Sequence, residues 1–439
     1  MVQIHSRWRA WIIVAMMFVF MLINFADKAV IGLAAVPIMR DLALTPQQFG
    51  MVGSSFFVLF SISGVLFGFA ANKVKTKWLL ALLSAVWAAV QFPLTGAVSL
   101  PLLIACRVAL GAGEGPAYPL AMHATYKWFE NEKRNIPSAI VQQGATTGML
   151  LAGPLLTFLI IHYDWHCAFL VLGAIGALWT ILWMVIGAEG TVGERHSLPP
   201  STGTLHVPYR RLITDPTLLG CVLLTFVAYT VLSAGFTWFP AYLRLGLGYP
   251  AGDVGWIFSL IVGVSIPVSL LASYLSQRLT RRAVSSRLSR GVMTSLPVAA
   301  AGLILLGTTT ELEAGMKVVC LALTSALSQL PFLFGPLLIG EVTPTGQRGA
   351  WLAINTSLGT VAGIFAPALM GHLIGAANTT SAGYQHGFLL LSCILIPSGF
   401  LGIWLLNPEK SRCSLRRKSD EENRQNADAP SCSSGGSSR

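Results

Sequence analysis

Residues 102–123 read LLIACRVALGAGEGPAYPLAMH. The stretch is apolar enough for a helix that crosses a bilayer, which needs about 20 such residues, yet Arg107 and Glu114 stand inside it. A charge at the centre of a membrane helix costs about 2.5–3.5 kcal/mol on insertion scales, so two in one helix require partners, a wet cavity, or both. Seven residues separate them; two helical turns less about 20° put them on one face, about 10 Å apart. Gly111 and Tyr118 fall on or near that stripe. Pro116 and Pro119 each remove a helix hydrogen bond and can bend the later part of the helix. No strand precedes the run Gly111 to Gly115, which excludes a dinucleotide fingerprint and leaves close helix packing as its use.

The rest of the chain has the same character. Its 439 residues are 54% hydrophobic and only 11% charged, with a mean hydropathy of +0.66. Soluble proteins carry about 25% charged residues, so a soluble enzyme, a secreted disulfide scaffold and a disordered chain are excluded. The composition predicts an all-α membrane protein. Runs long enough to span fall at about 10–32, 50–71, 78–98, 100–124, 138–162, 166–187, 217–243, 253–277, 291–309, 316–340, 350–374 and 384–406. The first is expected to be a retained helix, since it outruns a signal peptide and ends at Asp27-Lys28 without a cleavage site. A polar linker, 188–216, separates an N-terminal six-helix bundle (1–187) from a C-terminal one (217–406), and 407–439 has the composition of a disordered cytoplasmic tail. Six plus six suggests a duplicated carrier with its substrate site at the midplane between the halves.

The formal charge of +11 is spread over short loops and the tail. With the N-terminus in the cytoplasm, the inner loops collect Lys73, Lys75, Lys77, Lys127, Lys133, Arg134 and many arginines of the second half, while the outer loops keep Arg40, Arg244 and Lys317. The positive-inside rule therefore places both termini in the cytoplasm. This distribution fits anionic lipid headgroups as partners and excludes nucleic acid. None of the seven cysteines forms a CxxC pair, so neither a disulfide framework nor a thiolate metal site is expected. No GxxxxGK[ST] phosphate loop occurs, so ATP does not drive this chain. His162 and His166 flank Asp164 in an outer loop, a spacing that suits a solvated turn better than zinc.

Span 1 carries a second pair of intramembrane charges, Asp27 and Lys28, with Asn24 one turn before Lys28. A structural ion pair that only fixes helix packing is the plainer explanation, but two acids and two bases near one depth exceed that need. Asp27, Lys28, Arg107 and Glu114 sum to zero when ionised. Protonating one acid leaves +1, which suits one carboxylate substrate, and electroneutrality in a low-dielectric site would then couple H⁺ to an organic anion. Gln142 and Gln143 in span 5, Gln329 in span 10 and Asn355 in span 11 could bond substrate hydroxyls or equally each other's helices. Tyr229 and Phe236 in span 7 could line an apolar side of the pocket, whereas Trp238 suits an interfacial aromatic belt.

These residues resemble the major facilitator superfamily and, within it, the anion:cation symporter family, which includes bacterial galactonate, hexuronate and glucarate transporters and the animal sialin and vesicular glutamate carriers. NFADKAVIG in span 1 is similar to the family's N-Y-A-D-R pattern. RVALGAGEGPAYP resembles R-x-x-x-G-x-x-E-[AG]-P-x-[FY]-P, KWFENEKRNIPSAI the following W-F loop, and FTWFPAYL in span 7 the family's L-T-W-F-P-x-Y-L. The likeness covers nearly all of 7–406. It implies two six-helix halves that rock in alternating access, and proton-coupled uptake of a small organic anion such as a sugar acid or other carboxylate. Together with the reading of the residues above, it sets the expectation of Lys28, Arg107, Tyr118, Gln142, Tyr229 and Asn355 at the substrate and Asp27 and Glu114 in proton coupling. No cofactor is implied beyond an ion gradient, and a monomer in the plasma membrane (bacterial inner membrane) is expected. Lys28 stands where the family commonly has Arg, so a point charge replaces a bidentate fork. Asn72 and Ser276 replace the acids usual in the loops after spans 2 and 8. The rival within transport is an efflux antiporter for amphipathic compounds: Gly148, Gly153 and Pro154 resemble an antiporter motif, but two buried cations would repel cationic drugs.

Overall fold

The computed structural model describes residues 2–71, 73–130, 133–190 and 207–415. Asn72, most of the linker (191–206) and the tail beyond 415 lie outside the described residues. Among the described residues, 11 helices are long and apolar enough to cross a membrane. Span 1 is Trp8–Leu33, span 2 Pro46–Phe67, span 3 Thr76–Thr95, span 5 Ile136–His162 and span 6 Trp165–Ile186. The second half supplies span 7 Pro216–Gly246, span 8 Ala251–Arg281, span 9 Arg287–Thr309, span 10 Ala314–Val342, span 11 Arg348–Ala376 and span 12 Thr380–Leu405.

The remaining pass, span 4, is not one helix. It runs as Leu100–Glu114 and then Ala117–Tyr126. Pro116 has no N–H for the ladder, and the first segment closes on the bond from Gly115 N–H to the Gly111 carbonyl (3.0 Å). The second begins on the bond from Leu120 N–H to the Pro116 carbonyl (3.0 Å). The break falls immediately after Glu114, so the acid sits at the end of a helix segment, and neither piece is long enough to be read alone as a full span.

Caps fix the remaining entries. Asp164 accepts from Cys167 N–H (2.7 Å) at the start of span 6. Asp215 accepts from the amides of Thr217 and Leu218 (3.0 and 3.1 Å) at the start of span 7, with Pro216 at the first helical position. The end of the linker is held down: Gln347 accepts from Val207 N–H (3.0 Å) and donates to its carbonyl (2.7 Å). The expectation of a structureless tail from 407 needs correction. Residues 408–415 are helical because Asn407 caps Lys410 N–H (3.2 Å) and Ser411 bonds Thr217 at the start of span 7 (2.7 Å).

The two halves meet along three seams. A side chain at Gly32 of span 1 would strike the carbonyl of Phe236 in span 7. Gly153 of span 5 lies against the backbone of Gly255 in span 8, and Ser259 donates to the Leu150 carbonyl (2.8 Å). Span 2 packs on span 11 through Gly50 and Gly53 against Pro367, and Ala368 N–H donates to Ser54 Oγ (3.0 Å). Trp238 is fully buried here and packs edge-on against Phe49 of span 2 (5.6 Å between ring centroids), while within its own half it donates from Nε1 to the Pro367 carbonyl (2.9 Å), so it belongs to the inter-half seam and not to an interfacial belt. In every seam these contacts lie toward the face opposite the one carrying the N-terminus. The halves are therefore closed at that face.

Candidate functional site

The four ionisable groups of spans 1 and 4 come together inside the N-terminal half. Asp27, Lys28, Arg107 and Glu114 are all buried. The Lys28–Glu114 ion pair joins span 1 to span 4, and the glycine spacing of span 4 sets that helix against span 2. Side chains at Gly111 and Gly115 would collide with the carbonyls of Phe56 and Phe60 in span 2, so the two backbones run in contact in the small-xxx-small manner. The same approach lays the Phe56 ring under the Arg107 guanidinium, with Cζ 4.7 Å from the ring centroid.

Lys28 forms an ion pair with Glu114 Oε2. Its other donors go to Asn24, at the side-chain Oδ1 (2.6 Å) and the backbone carbonyl (3.3 Å). The ring of Phe25 lies 4.7 Å from the ammonium, adding a cation–π contact. Asp27 does not pair with its neighbour in sequence; it accepts a hydrogen bond from Gln91 Nε2 of span 3 (3.0 Å). Adjacent in sequence, the acid and the base of span 1 thus take separate partners. Successive helical residues point about 100° apart, so Asp27 and Lys28 turn to different helices.

Arg107 is the group left open. Its Nε and Nη1 are buried with no hydrogen-bond partner in the protein. The same holds for Glu114 Oε1, Asn24 Nδ2, Gln91 Oε1 and Trp87 Nε1. A buried unpaired donor costs about 1–3 kcal/mol, more when charged, so orphaned atoms on Arg107 and on the side chains that hold Asp27 and Lys28 mark a place built for a further polar partner. Free guanidinium N–H groups suit a carboxylate, which Nε or Nη1 would each grip together with the intervening Nη2.

The other expected residues divide. Tyr118 is 42% exposed, beyond the break in span 4. Gln142 is also exposed and lies on the same helical stripe as Met149 and Gly153, which face the C-terminal half. Asn355 is buried and tied to Thr225 of span 7, Nδ2 donating to Oγ1 (3.1 Å). Tyr229 packs edge-on against Phe332 at 4.8 Å between ring centroids. Gln329 joins Ser325, Ser328, Phe236 and Met149 around a small cavity of about 20 Å³ between the halves. Phe56, Gln91 and Trp87 were not singled out from the sequence. A lone Gln in the otherwise apolar LLALLSAVWAAVQ was the available signal for Gln91.

Twelve passes in two halves, seamed by glycine at one face and holding a buried charge cluster within one half, define a membrane carrier rather than an enzyme. The chain belongs to the Major Facilitator Superfamily, whose family model matches residues 16–326. It is 27% identical over 403 residues to the probable sulfoacetate transporter SauU of Cupriavidus necator, covering 88% of this chain and 91% of that one. It is 24% identical over 385 residues to the hexuronate transporter of Bacillus subtilis, covering 85% and 90%. Among solved structures, a bacterial homologue of the human lysosomal transporter Spinster in an inward-facing, occupied conformation superposes with a TM-score of 0.77 at 15% identity, over 93% of this chain and 98% of that one.

Proposed function

We propose that the protein is a secondary active carrier that takes up a small organic anion together with a proton by alternating access. The observation that carries this reading is the buried Arg107 guanidinium with Nε and Nη1 unpartnered, beside a Lys28–Glu114 ion pair. An incoming carboxylate bonds Arg107 and brings one negative charge into a cluster whose four ionised groups sum to zero. A proton on Glu114 restores neutrality and releases Lys28 to the substrate. Loss of that proton re-forms the ion pair and expels the anion. The relatives that carry sulfoacetate and hexuronate by name support an organic anion as cargo.

The basic loops orient the chain with both termini in the cytoplasm. The closed seams then lie outside, and the exposed Tyr118 and Gln142 belong to an inward-open side. The carrier acts as a monomer in the plasma membrane, in contact with anionic lipid and with no cofactor. Close packing of Gly153 on Gly255 gives the antiporter-like glycine run a mechanical use, which removes the main support for drug efflux. The test is uptake by the purified protein in vesicles, against sugar acids, dicarboxylates and aromatic acids, with and without an inward proton gradient. At least one acid should accumulate only with the gradient, and Arg107→Ala should abolish its transport while still inserting. Uptake by Arg107→Ala at the wild-type rate would refute the site.

A further inference from the structure

The charge of the site lies in one half and the non-polar surface in the other. Among the described residues of the C-terminal half, Asp215 is the one buried charged side chain, and it caps span 7. The cavity between the halves is walled by Met149, Leu232, Phe236 and Phe258, with a polar patch of Ser325, Ser328 and Gln329.

Most hydroxyl and amide donors on this side are already committed, although a hydroxyl that donates can still accept. Thr230 donates to the Phe226 carbonyl (2.9 Å), Ser233 to that of Tyr229 (2.8 Å) and Thr237 to that of Ser233 (3.0 Å). Asn355 and Thr225 bond each other (3.1 Å), and Ser328 donates to the Ser325 carbonyl (3.2 Å). The side-chain donors that remain for a ligand here are Gln329, the Ser325 hydroxyl and the Tyr229 hydroxyl. A polyhydroxylated acid would bring more hydroxyl oxygens into this half than these donors can meet. Buried polar groups left unpaired are what a site discriminates against most strongly.

We infer that the site selects anions whose remainder is apolar and bears at most one or two hydrogen-bonding groups, in preference to polyhydroxylated sugar acids. The head group binds at Arg107, and the tail crosses to the Leu232–Phe236 wall with its polar end at Gln329. The inference rests on the anion-carrier reading above, and its test separates the two.

Three acids of the same carbon count serve as probes: hexanoate, 6-hydroxyhexanoate and D-gluconate. Their affinities for the purified full-length protein in detergent are measured by isothermal titration at neutral pH, where all three are anions. Hexanoate and 6-hydroxyhexanoate should bind at least about ten-fold more tightly than D-gluconate. Gln329→Leu should lower the affinity for 6-hydroxyhexanoate relative to hexanoate, and Arg107→Ala should abolish binding of both. Gluconate binding as tightly as hexanoate, with both lost in Arg107→Ala, would overturn this inference and leave the anion site standing. Failure of both aliphatic acids to bind would likewise overturn it. Hexanoate binding undiminished in Arg107→Ala would overturn the anion site and this inference with it.

Discussion

Removing Lys28 alone strands a buried carboxylate. The Glu114 side chain is 0% exposed. Its Oε1 has no partner and its Oε2 is held by Lys28, so Lys28→Met leaves it without an ion-pair partner or donor in the protein. Breaking a buried pair by taking away one member costs about 3–5 kcal/mol, whereas replacing both members with apolar groups of similar volume is often close to neutral. Glu114→Leu alone strands the ammonium instead, though Asn24 still accepts from it at 2.6 Å, so its cost should fall at the lower end of that range. Lys28→Met/Glu114→Leu should recover most of the loss, giving a coupling of at least about 2 kcal/mol. Unfolding of the four proteins in mixed micelles of rising SDS fraction, followed by tryptophan fluorescence, closes the cycle. Additive losses, or a Lys28→Met protein as stable as wild type, would refute the ion pair as the element holding span 1 to span 4.

Two further outcomes follow from the packing. Gly153→Leu drives a side chain into the backbone of span 8 at Gly255, so the closed seam should open. A cysteine at Thr157, which faces Gly255, should then react several-fold faster with an impermeant maleimide in a background lacking the native cysteines, and an unchanged rate would contradict the seam. Asn355→Ala breaks the bond to Thr225 and should cost about 1–3 kcal/mol of stability, measured in the same micelles. Thr225→Val should cost a similar amount and the double variant little more; full additivity would mean that Asn355 works elsewhere.

Twelve passes were legible because an apolar run of membrane length has few other uses, and their edges were placed within a few residues. Span 4 was legible as a pass but not as two helices, although Pro116 and Pro119 carried the warning. The glycine steps in span 4 were readable as close packing, and they do bring its backbone onto span 2. Which base meets which acid was not readable. Adjacent in sequence, Asp27 and Lys28 face different helices, and only the placement of spans 3 and 4 assigns Gln91 to one and Glu114 to the other. Asn355 shows the complementary limit: a polar residue in a membrane helix has the same sequence signature whether it awaits a ligand or ties two helices together.

The coupling claim is tested most directly with Glu114→Gln in proteoliposomes, using an acid that the wild-type protein concentrates under a proton gradient. Glutamine keeps the shape of the protonated acid and cannot release the proton, so Lys28 stays free of its ion pair and the anion still binds. The account predicts that Glu114→Gln exchanges external for internal substrate across the vesicle wall but fails to concentrate it when an inward proton gradient is imposed. Gradient-driven accumulation at the wild-type level in Glu114→Gln would contradict the account and remove Glu114 from coupling.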